Sequence, residues 1–259
     1  MKTCRVVELG QMGYAEAFEL QQRLVAARKK DAAPDVLLLC EHPPTITLGR
    51  NGDLRNLRMS REGLSQLGIE FHHANRGGDI TYHGPGQVVG YPILQLGEIR
   101  RDVGWYVRQL EEAMIRATAA FGIAAFRVAG RTGVWARAKG MRAETALEEQ
   151  KLGAIGVHLS RWVTAHGFAY NVSTDLSYFD LIVPCGIAGC RATSLEKLLG
   201  GQLIGERLTG ERLSRMQVLP ELTAGFAAAL GLELADATRE ELDEWIRGAT
   251  EPAGVASRP

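Results

Sequence analysis

The strongest pattern in the chain is a run of apolar positions, "VLLLC" from Val36 to Cys40. It does not alternate, and it is too short for a helix, so it reads as a strand buried on both faces. Ahead of it, Cys4–Leu9 reads as a strand. Tyr14, Ala17, Phe18, Leu24 and Val25 fall on one face of a helix from Tyr14 to Lys30. "PPTITLG" is a turn and a β-rich piece, and Ser60 can cap a short helix to Leu67, with Gly68 just beyond. The stretch from Ile69 to Leu96 holds two or three short strands broken by Gly-Gly and Gly-Pro-Gly turns. Asp102 is placed to cap a long helix to Phe121, whose apolar stripe is Val103, Tyr106, Leu110, Met114 and Ala117. Strand-like pieces follow at Ala125–Val128, Val134–Ala136, Leu152–Leu159, Trp162–Thr164 and Phe168–Val172. Thr193 with Glu196 predicts a capped short helix, Pro220 opens another to about Leu230, and Thr238 with Glu241 caps a last one. Many short strands, mostly hairpin-connected, predict an α+β fold: mixed and antiparallel sheets flanked by helices. One domain is expected over residues 1–247, with a frayed tail over 248–259. The charged stretch Arg137–Gln150 reads as a surface loop or hairpin tip.

Composition narrows the function classes. Thirty basic residues balance thirty acidic ones, so nothing points to nucleic acid or a membrane surface. The N-terminus has no apolar signal core, and no run approaches the length of a membrane span. These features predict a cytoplasmic protein, whose Cys4, Cys40, Cys185 and Cys190 are free thiols. Neither the cysteines nor the histidines show the spacing of a metal site.

Four segments could carry chemistry. "RGGDITYHGPGQ" (Arg76–Gln87) combines glycines that let backbone approach a ligand with a fixed cation and a histidine. It is neither a P-loop nor a dinucleotide fingerprint, and it could equally be a pair of tight turns. "KLGAIGVHL" places Gly153 and Gly156 in a strand, where glycine is costly unless something packs close. "HGFAYNV" (His166–Val172) sets a glycine beside a polar residue at a strand start. "LIVPCGIAG" puts Cys185 between Pro184 and Gly186, in a turn that exposes a thiol rather than burying it.

Together with "EHPPTITLGR", "GVW" and "TSL", these segments resemble, in order, those of the lipoyl (octanoyl) transferases, over roughly residues 36 to 200. The resemblance implies a fold similar to the catalytic domain of lipoate and biotin protein ligases. It implies octanoyl transfer from octanoyl-acyl carrier protein to a lysine of lipoyl domains, those of 2-oxoacid dehydrogenase complexes and of the glycine cleavage H protein. A thioester on Cys185 would carry the acyl group, with Lys151 working beside it. The substrate-binding positions would be Arg76, Gly77, Gly78, Asp79, Ile80, Thr81, Tyr82 and His83, then Ala154, Ile155 and Gly156, then Gly167, Phe168 and Ala169. No metal or other cofactor is implied, because a thioester arrives activated. The match of "KLGAIG" selects Lys151 over Lys139. Glycines 77, 78, 153 and 156 are expected to form a narrow apolar channel ending near Cys185, and amides around the glycines to hold an oxyanion. An ATP-dependent lipoate or biotin-type ligase, or a non-catalytic acyl-binding protein, would use the same fold.

Overall fold

The computed structural model describes residues 1–137, 149–187, 189–200 and 212–249. Strand β1 (Lys2–Gln11) leads into α1 (Tyr14–Arg28), β2 (Asp35–Glu41) and β3 (Thr45–Leu48). A short α2 (Arg61–Gln66) precedes β4 (Glu70–His73), β5 (Ile80–His83) and β6 (Gln87–Ile93). The long α3 (Val103–Ala120) is followed by β7 (Ala125–Val128), β8 (Arg131–Ala136), β9 (Gln150–Ser160) and β10 (Val163–Asn171). Then come β11 (Arg191–Ala192), α4 (Leu195–Leu199), α5 (Arg215–Leu230), β12 (Leu232–Asp236) and α6 (Arg239–Gly248).

The main sheet runs β12-β1-β2-β6-β10-β9-β8-β7, and a small sheet runs β4-β3-β5. Strand β1 is parallel to β12 and β2, whereas every neighbour from β2 to β7 is antiparallel. This is the expected α+β architecture. The Val36–Cys40 run sits inside the main sheet and is covered twice. Leu37 and Leu39 join the core under α3 and α5, while Val36, Leu38 and Cys40 join the core under α1 and α6. Cys4 and Cys40 are fully buried, and burial pushes both thiols well up. A third core lies between the small sheet, α2 and the 178–182 segment. The small sheet folds over the β9–β10 end of the main sheet on the α1 side, and the cavity described below lies between them.

Asp102, Ser60 and Thr238 cap their helices as their positions predict. Three local features differ from the sequence reading. Ser194, not Thr193, caps α4, accepting from the Lys197 amide at 3.2 Å, because Thr193 is fully buried and its backbone is spent on β9 and Asn171. Pro220 lies inside α5 rather than opening it; the helix begins at Ser214, whose amide donates to Gln217 Oε1. Trp162 is in a turn, not a strand: Arg161 and Trp162 both have positive φ and make the two-residue link of the β9–β10 hairpin. That link contains no glycine or asparagine, so nothing in the sequence marks it. Residues 138–148, with Lys139 and most of the charged stretch, and the tail from residue 250 lie outside the described residues.

Candidate active site

Cys185 occupies a short 3-10 turn, Pro184–Gly186, with φ 58° and ψ 17°. This left-handed conformation is unfavourable for any residue with a Cβ, at about 1–3 kcal/mol, and such strain concentrates where a side chain must be presented. The turn is tied by the Gly186 amide to the Val183 carbonyl (2.9 Å) and the Ile187 amide to the Pro184 carbonyl (3.1 Å). Lys151 is only 8% exposed, and its Nζ donates to Cys185 Sγ at 2.9 Å and to the Thr132 carbonyl at 2.9 Å. The ammonium also sits 5.4 Å from the Trp135 ring centroid.

Lys151 reaches this position through an irregularity in the sheet. Val134 faces Gly153 while Trp135 faces Lys151, so Leu152 is an extra residue on β9. A bulge breaks strict alternation and re-aims the side chains beside it. Lys151 and Ala154 therefore line one cavity, although residues three apart on a regular strand point to opposite faces. Gly133 makes the room: its φ is 120°, and a Cβ there would lie 2.7 Å from Lys151 Cε. Its amide donates to the buried Glu111 carboxylate at 3.0 Å, which also accepts from Arg127, so α3 fixes the start of β8, which carries the Thr132 carbonyl. On the other side, β11 takes over the edge of β9 at Gln150 and Lys151, just past the end of its pairing with β10. A buried chain holds it there: His83 Nδ1 donates to Gln87 Oε1, Gln87 Nε2 to Asn171 Oδ1, Asn171 Nδ2 to the Thr193 carbonyl, and the Thr193 amide to the Lys151 carbonyl.

Cys185 and Lys151 stand at one cavity of about 300 Å³. Of the positions picked from sequence, Arg76, Gly78, Asp79, Ile80, Thr81, His83, Ala154, Ile155, Gly156, Gly167, Phe168 and Ala169 line it with them. Gly77 and Tyr82 do not. Gly77 packs behind the lining, its amide bonded to the Val157 carbonyl at 2.9 Å; Tyr82 points away on its strand into the small-sheet core, stacked on Tyr178. A Cβ on Gly156 would come within 2.9 Å of the Gly77 carbonyl, so these two glycines bring the segments together. Gly153 serves another purpose, since the space of its missing Cβ is filled by Met114 of α3. The Gly77 and Gly186 amides are already bonded, to the Val157 and Val183 carbonyls. Tyr14, Tyr91 and Thr132 also line the cavity, and the sequence reading places none of them there. Tyr14 follows the apolar stripe of α1, a pattern that cannot separate core from cavity wall.

Two histidines stand in the cavity wall, His83 and His166. Burial, reinforced by neighbouring positive groups, lowers His83 and His166 to about 3. His166 has φ 56°, and this kink within β10 sets its imidazole against Asn75, Nε2 to Oδ1 at 2.5 Å. Between pH 6.5 and about 3 the unfolded chain binds protons at these two sites that the folded protein refuses. Stability is thus full above pH 6.5 and falls as pH drops, by up to about 1.4 kcal/mol per pH unit for each histidine. Urea unfolding at stepped pH is expected to show this slope, and His166→Asn to flatten it by up to about 1.4 kcal/mol per pH unit. An identical slope in the variant would show that His166 is protonated in the folded state.

Cys185 and Lys151 meet at a cavity on a mixed sheet, and comparison with known proteins gives the family of the chain. Residues 13–225 match the lipoyl protein ligase A/B catalytic domain, and the chain belongs to that family. It is 56% identical to an octanoyltransferase from Solibacter usitatus over 72% of this chain and 80% of the relative. It is 46% identical to an octanoyltransferase from Koribacter versatilis, over 86% and 82%. Among solved structures, a lipoate-protein ligase A bound with ATP superposes with a TM-score of 0.68 at 14% identity, covering 95% of this chain and 93% of that one. The bi-partite lipoate protein ligase of Thermoplasma acidophilum gives 0.67 at 16%, covering 95% and 91%. At such identities the likeness is one of fold. No helix among the described residues is long and apolar enough to cross a membrane.

Proposed function

We propose that this protein takes an octanoyl group from octanoyl-acyl carrier protein onto Cys185 and passes it to a lysine of lipoyl domains, those of 2-oxoacid dehydrogenases and the glycine cleavage H protein. The activity class is that of its relatives: it is an acyltransferase, an octanoyltransferase of lipoate biosynthesis. The observation that carries the finer reading is the 2.9 Å contact between Lys151 Nζ and Cys185 Sγ beside a largely apolar cavity.

The pair supplies a closed proton cycle. Cys185 thiolate attacks the thioester carbonyl of the donor, and the bond to the carrier's sulfur breaks. The departing thiolate takes a proton from the Lys151 ammonium, leaving a neutral amine. The acceptor lysine's amine then attacks the acyl-Cys185 carbonyl, and Lys151 takes back a proton as the amide forms. Cys185 leaves as thiolate beside the restored ammonium. An ammonium has three donors and only two are used at rest, which leaves one for the oxyanion of the first tetrahedral intermediate. Incubation with octanoyl carrier protein, with and without ATP, tests the reading by intact mass. An ATP-independent acyl adduct on the Cys185 peptide supports it; transfer only with ATP points instead to the ligase chemistry of the same fold.

The cavity sets chain length. From Lys151 to Gly156 the lining follows roughly 16 Å of strand at about 3.3 Å per residue, and an extended eight-carbon chain needs roughly 9 Å given C–C bonds of about 1.5 Å. Ala154 faces Ala169 across the hairpin within that span. Ala154→Leu is expected to shorten the usable channel by three or four methylenes, at about 0.8 kcal/mol each. Octanoyl loading then falls roughly a hundredfold while butanoyl loading changes little. Acyl-Cys185 formation across a chain-length series is the measurement, and an equal loss at every length would remove Ala154 from the acyl channel.

A further inference from the structure

The cavity wall contains a carboxylate whose contacts are directed at the protein rather than at a ligand. Asp79 Oδ1 accepts from the Asp53 amide (3.1 Å) and from the Ile80 amide (2.7 Å). Asp79 Oδ2 accepts from Asn56 Nδ2 at 2.6 Å. Asn56 belongs to a short segment that zips against the chain leading to the thiol. Its carbonyl accepts from the Val183 amide at 2.7 Å, Leu57 pairs with Ile182, and the Arg58 amide donates to the Leu181 carbonyl at 2.9 Å. Past that zip, Gly186 is seated on the same pair. A Cβ on Gly186 would overlap Asp79 Oδ2 and come within 3.1 Å of Asn56 Nδ2. The Cys185 turn is thus held before and after the sulfur by one hydrogen-bonded unit.

We infer that Asn56 and Asp79 form a positioning clamp that fixes the left-handed Cys185 turn, and with it the direction of Sγ toward Lys151. A residue strained at φ 58° stays so only where its surroundings over-determine it, and this clamp is the surrounding structure that does so. Asn56 has no contact with the reacting atoms, and its effect passes through the turn. The inference rests on the reading of Cys185 as the acyl carrier, yet the position of its thiol can be followed without any substrate.

The test is a swap of the pair. Asn56→Asp sets two carboxylates against each other at hydrogen-bond distance and removes the donor, which pushes the turn away. In N56D/D79N the amide is on the other partner. The side chain introduced at position 79 keeps the two backbone amides on its oxygen and donates through its nitrogen to the carboxylate introduced at position 56. Iodoacetamide alkylation of Cys185, followed on its peptide by mass, and octanoyl loading are both measured, with thermal melting as the check on folding. A shift of an ångström costs up to about a hundredfold in a positioned reaction, so N56D is expected to slow octanoyl loading roughly 30-fold and alkylation by more than about threefold as Sγ leaves its Lys151 donor, and the swap to bring both to within about twofold of the parent. D79N alone is expected to lose only a few-fold, because the Asn56 amide can turn over and accept. A swap no better than N56D, or N56D within threefold of the parent, overturns the clamp. If N56D fails to fold, Asn56→Ala takes its place: alkylation about tenfold slower at a near-parental melting temperature supports the clamp, and a parental rate overturns it. Failure of the parent protein to load octanoyl while the alkylation series behaves as described would count against the proposed function and leave the clamp standing.

Discussion

Replacing Cys185 by alanine is expected to lower octanoyl transfer by at least about 10⁴-fold and to leave no acyl-enzyme. The size follows from what the residue does in the proposed cycle: without the sulfur there is no covalent carrier, and direct attack by the acceptor amine meets a donor that the site is not arranged to hold for it. The fold has little reason to suffer. Cys185 is half-buried, and alanine at φ 58° bears the same strain as cysteine. A melting curve close to the parent's is therefore part of the prediction. Cys190 is the control. It lies beside Cys185 and Lys151 around a small recess, but burial pushes its thiol up to about 11, so it is protonated and unreactive at neutral pH. Cys190→Ala is expected to transfer at the parental rate. The measurement is the mass shift of a lipoyl domain over time. Transfer by Cys185→Ala within tenfold of the parent would end the covalent mechanism.

The parts of this site that were legible in the sequence are those in which local composition has one physical meaning. Gly156 in a strand announces close approach, which holds, and Pro184-Cys185-Gly186 announces a turn, which is present but exposed only at Gly186, with Pro184 buried and Cys185 half-buried. Central β2 was legible because an uninterrupted apolar run has to be covered on both faces. What was hidden depends on long-range pairing. The bulge at Leu152, which turns Lys151 into the cavity, exists only in the register of β9 against β8. Gly153 looks like Gly156 in sequence, yet it faces Met114 on the far side of the sheet. Tyr14 follows the helical stripe and is buried, but what covers it is a cavity and three histidine rings rather than aliphatic core. Asn56 carried no signal at all, because its partners are 23 residues away at Asp79 and far beyond, at Val183. The same logic explains Pro220: a proline suits a first turn, but the Ser214–Gln217 cap starts the helix earlier, and the remaining packing of α5 on α3 outweighs one missing backbone bond.

Lys151 carries the second large effect. Lys151→Ala is expected to slow acyl-enzyme formation and amide formation each by about 10²–10⁴-fold, the usual span for a lost general acid–base group. Alkylation of Cys185 at neutral pH is expected to slow as well, because the donor that holds Sγ at 2.9 Å is gone. Arginine separates the two duties of the lysine. A guanidinium is always charged, so Lys151→Arg can still hold a thiolate, yet it cannot accept the proton of the attacking amine. The first step loses less in this variant, since a carrier thiolate can depart without being protonated in place. The second step loses the base on which it depends, so octanoyl-Cys185 should accumulate. Single-turnover loading followed by addition of a lipoyl domain reads the two steps separately. Equal losses in both steps for Lys151→Arg would mean that the larger side chain does not fit the room that Gly133 leaves for Lys151 and has simply displaced the turn. An unchanged alkylation rate together with undiminished transfer in Lys151→Ala would show that the contact between Nζ and Sγ has no part in the chemistry.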